Sequence, residues 1–196
     1  MQRILSLLAG GVALVLTSAS LAQQALVIRP LAERKVAELP AGELYWRIEN
    51  YPSREAAQAA AGSWSLVAEA AGKVWLFTLG PAGGASPGGA KVSDVGPITR
   101  VTAPQYLLRI NEASGRPGSV TPVHSHPGSE AFYVLTGEQS IRGPNGTMVV
   151  KAGTPEAGQG GSSAMQVSSS GSGELQSLVM FVVDATQPFS SPASLP

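Results

Sequence analysis

Short β segments at close spacing constrain the fold of this chain more than any other feature. From Pro104 onward, runs with strand character recur every few residues and are separated by glycine, proline and polar residues. These runs are "QYLLRIN", "SVTPVHSH", "EAFYVLTG", "EQSIRG", "TMVVKAG", "SAMQVSS" and "LQSLVMFVVD". Asn145-Gly146 lies between two of them and is typical of a hairpin turn, because both residues tolerate positive φ. Closely spaced antiparallel strands without long helices predict an all-β sandwich or small barrel.

The first residues have the pattern of a secretory signal peptide. Arg3 is followed by an apolar run from Ile4 to Leu16, and Ser20 and Ala22 occupy the −3 and −1 positions of a cleavage site. The alternative is a membrane anchor, but the run is shorter than the ~20 residues that span a bilayer. We therefore expect residues 1–22 to be cleaved, the mature protein to be periplasmic or secreted, and no stable membrane insertion.

Charge and cysteine content exclude several classes of function. The chain has 13 basic and 13 acidic side chains, and no cluster of Lys and Arg interleaves with aromatic residues. A nucleic-acid partner is therefore not expected. The chain has no cysteine, which excludes disulfides and thiol catalysis. The fold must be stabilised by its apolar core or by a partner subunit.

Residues 23–103 contain signals of a different kind from the rest of the chain. A short strand is predicted at Leu44 to Ile48, and Ser53 is in N-cap position before the helical stretch "REAAQAAA". Two apolar segments flank Ala71-Gly72 and predict a hairpin. We interpret residues 23–103 as an N-terminal strand-helix-hairpin extension that packs on a barrel formed by residues 104–196.

Both histidines of the chain lie in one short stretch. His124 and His126 are two residues apart, so on a strand they project to the same face. A Pro-Gly turn follows, and Glu130 opens the next strand. If the shared face is the barrel interior, two imidazoles and one carboxylate converge there. Such a donor set with open positions is used for Fe(II) and also suits Mn, Zn, Ni or Cu. The alternative is a pair of structural histidines, hydrogen-bonded inside a barrel without a metal.

The same stretch resembles the first conserved motif of the cupins. That motif is a glycine, five residues, His-x-His, three or four residues, Glu, six residues and a glycine. It is met here by Gly118, His124, His126, Glu130 and Gly137. The resemblance covers roughly Tyr106 to Asp184. It implies a cupin double-stranded β-helix (jelly-roll barrel), a divalent metal bound by the two His and the Glu, and a homodimer.

The second cupin motif departs from the family pattern. Its histidine is missing from "GTMVVKAGTPEAGQGGSSAMQVSSSG", and the resemblance places Met165 at the fourth metal-ligand position. Three interpretations are open. The thioether of Met165 could bind a soft ion such as Cu(I), the side chain could pack in the barrel, or Gln159 or Glu156 could supply an oxygen instead.

Two other polar residues in the barrel sequence are given no catalytic role. Tyr133 lies off the Glu130 face by strand parity, and we expect it to pack against a second sheet or subunit. Arg109 alternates with apolar residues in "YLLRIN", and we expect it to be solvated.

Two functions follow from these residues, and a third is weaker. In the first, the chain is a metal-dependent enzyme for a small-molecule substrate, with Glu130 able to act as a base; the resemblance implies a dioxygenase-like oxidoreductase. In the second, it is a non-catalytic small-molecule-binding or sensing module with a degenerate metal site. The third is an assembly role for the N-terminal region and the Pro/Ser-rich end "QPFSSPASLP".

Overall fold

A computed structural model of the chain describes residues 24–158 and 160–196. The predicted signal peptide and Gln159 lie outside these residues. None of the described helices has the length and apolar character needed to cross a membrane. The strands are β1 Val27–Val36, β2 Leu44–Tyr51, β3 Ser65–Ala70, β4 Lys73–Gly80, β5 Ala90–Ile98, β6 Tyr106–Gly115, β7 His124–Ser125, β8 Gly128–Thr136, β9 Glu138–Gly143, β10 Gly146–Lys151, β11 Pro155–Glu156, β12 Gln166–Ser169, β13 Leu175–Asp184 and β14 Ser191–Pro192, and helix α1 is Arg54–Ala60.

The barrel is built from two antiparallel sheets. The larger sheet has the order β1-β6-β13-β8-β11 and the smaller one β10-β9-β12, while β7 pairs with β14 at one end. Strand β13 is the centre of the larger sheet and pairs with β6 along all ten of its residues. It is buried along nearly its whole length because the barrel interior covers one face and the N-terminal sheet covers the other. The all-β prediction is confirmed.

The N-terminal sheet has the order β3-β4-β2-β5 and packs on the outer face of the larger barrel sheet. The two sheets share one apolar core, in which Trp46 and Phe77 from the first meet Leu108 and Met180 from the second. Helix α1 begins after Ser53, whose Oγ accepts a hydrogen bond from the Ala56 N–H. This capping satisfies an N–H that would otherwise lack a partner. The predicted strand and helix are present at these positions.

Two hairpin turns illustrate local sequence signals. Ala71 and Gly72 both have positive φ, 51° and 68°, and connect β3 to β4 as expected for a two-residue turn. In the β9–β10 hairpin, Gly143 pairs with Gly146, so the turn residues are Pro144 and Asn145. The hairpin is therefore present, but its turn lies one residue earlier than the Asn-Gly pair predicts.

Strand β1 is the main difference from the sequence prediction. It comes from the N-terminal extension yet pairs with β6 as an edge of the larger barrel sheet. Its sequence "VIRPLAERKV" contains Pro30 and four charged residues, which weakens the strand signal. Proline is tolerated on an edge strand, and the pairing shifts register between Pro30 and Ala32. The extension thus contributes a strand to the barrel.

Candidate metal centre

A cavity of about 370 Å³ lies in the barrel. Its walls come from the inward faces of β6, β8, β12 and β13, from the segment that leads into β7, and from the C-terminal segment around β14. His124, His126 and Glu130 all lie in these walls. The structure therefore brings the three predicted donor side chains to one cavity.

His126 is held in one tautomer by the backbone. Its Nδ1 lies 2.6 Å from the carbonyl oxygen of Phe189, and a carbonyl oxygen can only accept. Nδ1 therefore carries the hydrogen and donates it, and Nε2 keeps its lone pair. The side chain is only 6% exposed, and burial lowers the pKa of His126 to about 4. The ring is neutral at neutral pH, which is the form that binds metals.

His124 has the same arrangement. Its Nδ1 donates to the carbonyl oxygen of Pro122 at 2.9 Å, which leaves the Nε2 lone pair available. Its backbone is fixed on both sides, because it pairs with Pro192 of β14 and exchanges two hydrogen bonds with Met165. The centroids of the His124 and His126 rings lie 5.0 Å apart with an angle of 82° between the ring planes.

Glu130 is a buried carboxyl group without adequate partners. It is 3% exposed, and its Oε2 lies 3.9 Å from Nε2 of His126. Among the described residues, no group forms a hydrogen bond to its Oε1. Burial raises the pKa of Glu130 to about 8. A buried carboxylate without compensation is costly, and a cation in the cavity would supply that compensation.

The donor set fits a divalent ion by its chemistry. Two imidazole Nε2 atoms with free lone pairs and one orphaned carboxyl oxygen are ligands for Fe, Mn, Zn, Ni or Cu. In residues 24–158 and 160–196, however, no group of three or more His, Cys, Asp or Glu side chains is gathered into a ready-made metal cluster. Metal binding by His124, His126 and Glu130 stays a prediction.

Met165 lies beside the histidines along the backbone but not in the cavity wall. Its N–H and C=O pair with those of His124 at 2.8 and 2.9 Å. Its side chain is 2% exposed and packs in an apolar cluster that includes Phe132 and Ile141. This placement supports the packing interpretation.

Glu156 is likewise not among the described cavity walls, and its Oε1 accepts a hydrogen bond from the Gly158 N–H.

The C-terminal segment is the part of the site that sequence reasoning missed. Phe189 supplies the carbonyl that orients His126, and its ring lies 4.7 Å from the His126 ring and 4.9 Å from the Phe181 ring. Pro192 of β14 then pairs with His124. The only signal in the sequence was one phenylalanine within a Pro/Ser-rich end.

The prediction for Arg109 was wrong. Its side chain is 19% exposed, and its guanidinium stacks over the Phe189 ring at 4.3 Å. Its Nε donates to Oδ1 of Asn111 at 2.9 Å. Arg109 therefore supports the C-terminal segment from outside the cavity walls. Tyr133, by contrast, packs against the core shared by the two sheets, as predicted.

Replacing Phe189 with alanine tests this support. The variant keeps the backbone carbonyl that accepts from His126 but removes ring contacts to His126, Phe181 and Arg109. We expect the free energy of unfolding of the metal-free protein to fall by about 2 kcal/mol, less than for a fully buried phenylalanine. Urea unfolding measures it. The exposed Ser190→Ala is the control, and an equal stability of both variants would contradict the packing role.

Comparisons with known proteins give similarities of fold only. No family model matches the sequence, and a search of curated proteins finds no match. A cupin-like protein from Thermotoga maritima is 15% identical, with 45% of this chain and 65% of that chain covered and a TM-score of 0.39. A cupin superfamily protein from Desulfitobacterium hafniense is 15% identical over 44% of this chain and 84% of that chain, with a TM-score of 0.36. The polyketide cyclase RemF from Streptomyces resistomycificus is 21% identical over 45% and 62%, with a TM-score of 0.37.

The barrel is a jelly roll of two facing antiparallel sheets, and it resembles the cupins in that the His-x-His and Glu of their first motif lie in one cavity. The chain spans between 44% and 65% of the length of the first five solved chains that it matches. The activities of those proteins are therefore not transferred to it.

Proposed function

We propose that this chain is an exported cupin that binds a divalent metal ion through His124, His126 and Glu130, beside a pocket for a small molecule. The observation that carries the proposal is Oε1 of Glu130, which is buried without a hydrogen-bond partner among the described residues. It shares a cavity with two imidazoles whose Nδ1 hydrogens are both engaged elsewhere. The unused donor atoms of all three side chains are those that a cation needs.

The proposed reaction class is a dioxygenase-like oxidation of a small molecule. A bound ion would supply Lewis-acid or redox chemistry. The chain's own residues orient the site: the Phe189 carbonyl fixes the His126 ring, and Phe132, Phe181 and Phe189 form apolar parts of the cavity walls. Glu130 is the proposed base, because a carboxylate oxygen released from the ion could accept a proton from a substrate in the cavity.

A second candidate is a non-catalytic binding or sensing cupin. It is favoured by the position of Met165, which packs in the apolar cluster with Phe132 and is not itself among the described cavity walls. The described walls then offer three metal ligands, whereas the cupin resemblance implies four. Export and a homodimeric assembly are parts of the proposal that depend on the signal-peptide pattern and the cupin resemblance.

Metal content tests the proposal directly. The mature protein is purified without an affinity tag or chelator and examined by elemental analysis, before and after incubation with Fe(II), Mn(II), Zn(II), Ni(II) or Cu(II) in turn. We expect close to one ion per chain and a rise in melting temperature with the ion that binds. A protein that stays metal-free after every incubation would overturn the metal site and leave the second candidate. Oxygen consumption with candidate substrates then separates enzyme from binding module.

A further inference from the structure

The cavity walls are mostly apolar outside the three donor residues. The rings of Phe132, Phe181 and Phe189 form part of the surface, and three valines from different segments form much of the remainder. The valines are Val123, Val167 and Val179. Such walls favour a ligand with a large apolar surface, because each apolar contact removes area from water.

The described cavity walls contain no lysine or arginine. Arg109 is near and its charge acts on His126, but it is not among the wall residues: its guanidinium stacks on Phe189, and its Nη1 lies 3.4 Å from a Glu33 carboxylate oxygen that offsets its charge. A bound metal ion could neutralise one negative oxygen of a ligand. A second carboxylate, or a phosphate, would find no lysine or arginine in the described walls with which to pair, and burial of an unpaired anion is unfavourable.

The size of the cavity limits the ligand further. An apolar cavity of roughly 150 Å³ is large enough to bind benzene, and this one is about 370 Å³. It can therefore hold a molecule of one or two rings. The polar groups of the walls lie together at the His124, His126 and Glu130 end or on scattered hydroxyl and amide side chains such as Thr121 and Asn111.

We propose that the cavity takes an uncharged, largely apolar molecule of one or two aromatic rings, with a hydroxyl or carbonyl directed to His124, His126 and Glu130. This ligand class rests on the proposed function, since it assumes that the three donors form the reactive end of the pocket. Phenylalanine walls suit aromatic rings, which pack edge-to-face or offset against them. Small dicarboxylates and sugar phosphates do not suit these walls.

Two adjacent residues of β1 provide a matched test. Ile28 lines the cavity and is 45% exposed, so it lies at its mouth, whereas its neighbour Val27 is 63% exposed and is not part of the walls. Because both side chains are substantially exposed, arginine at either position should leave the fold intact. Ile28→Arg places a charge at the mouth and removes an apolar contact, while Val27→Arg adds the same charge outside it.

The probe is 2-naphthol, titrated into wild type, Ile28→Arg and Val27→Arg, with oxalate and glucose 6-phosphate as charged competitors. We expect 2-naphthol to bind wild type, Ile28→Arg to weaken this binding about tenfold through the lost apolar contact, and Val27→Arg to change it less than about twofold. The charged competitors should not displace it. Failure of 2-naphthol to bind, displacement by oxalate or glucose 6-phosphate, or equal effects of the two variants would overturn the inference.

Metal content is measured on the same samples, which separates the two proposals. Binding of 2-naphthol that depends on Ile28, in protein that cannot be loaded with metal, would support the ligand class and overturn the metal site. A full metal site in protein that binds oxalate but not 2-naphthol would support the metal site and overturn the ligand class.

Discussion

Replacing Glu130 with glutamine is expected to stabilise the metal-free protein strongly at alkaline pH and to leave its stability near pH 4 almost unchanged. The Glu130 carboxyl group is buried, and burial raises its pKa from an ordinary value of 4.5 to about 8. Between these two pH values the folded state holds a proton that the unfolded state has lost. The contribution of Glu130 to the free energy of unfolding of wild type therefore falls as pH rises from 4.5 to about 8, while His126 contributes equally to wild type and variant and cancels from their difference.

Glutamine has nearly the same shape as a protonated glutamate and does not ionise, so the variant should lack this fall. The full difference approaches about 5 kcal/mol above pH 8, as an upper limit. Urea unfolding in the presence of a chelator, from about pH 4 to pH 9, measures it. The exposed Glu174→Gln is the control and should follow the wild-type profile. Parallel pH profiles for wild type and Glu130→Gln would show that Glu130 does not titrate in a buried environment.

The same carboxyl group links pH to metal binding. A metal ligand must be ionised, so binding of a cation by Glu130 would release a proton at any pH below about 8. Affinity for the ion should therefore increase with pH up to about 8, the range in which ionisation of Glu130 lowers the stability of the metal-free protein. The group that destabilises the empty barrel at alkaline pH is the one that a cation would compensate.

Local signals in the sequence predicted much of the fold. Helix α1 was predicted because Ser53 is a capping residue before a run of good helix formers, and both features act within a few residues. The β3–β4 turn was predicted for the same reason. Strand β1 was missed because Pro30 and its charged neighbours give a weak local pattern. Its position is set by pairing with β6, about eighty residues away.

The site shows the same division between local and long-range information. Strand parity and the cupin motif predicted that His124, His126 and Glu130 would share a face, and all three line one cavity. The hydrogen bond from His126 to the Phe189 carbonyl joins residues 63 positions apart. No periodicity marks such a contact. The stacking of Arg109 on Phe189 was missed for this reason too, because parity alone placed Arg109 in solvent.

Replacing His126 with alanine is expected to lower the affinity for the bound divalent ion by more than about 100-fold. Substitutions of residues that only support a metal ligand cost about 10–100-fold, and loss of a ligand should cost at least as much. Ser125→Ala is the matched control, because Ser125 lies between His124 and His126 in the sequence and is not part of the cavity walls. Titration calorimetry on chelator-treated protein measures all three proteins. Equal affinities would contradict the ligand role of His126.

Met165→Ala in the same titration tests whether the Met165 thioether is the missing fourth ligand. If Met165 only packs in its apolar cluster, the variant should lose about 2–4 kcal/mol of folding stability while its affinity for divalent ions stays close to that of wild type. A selective loss of Cu(I) binding in a parallel titration with Cu(I) would instead assign the thioether as a ligand. Under the packing interpretation only the folding stability falls. Under the ligand interpretation the affinity for Cu(I) falls as well.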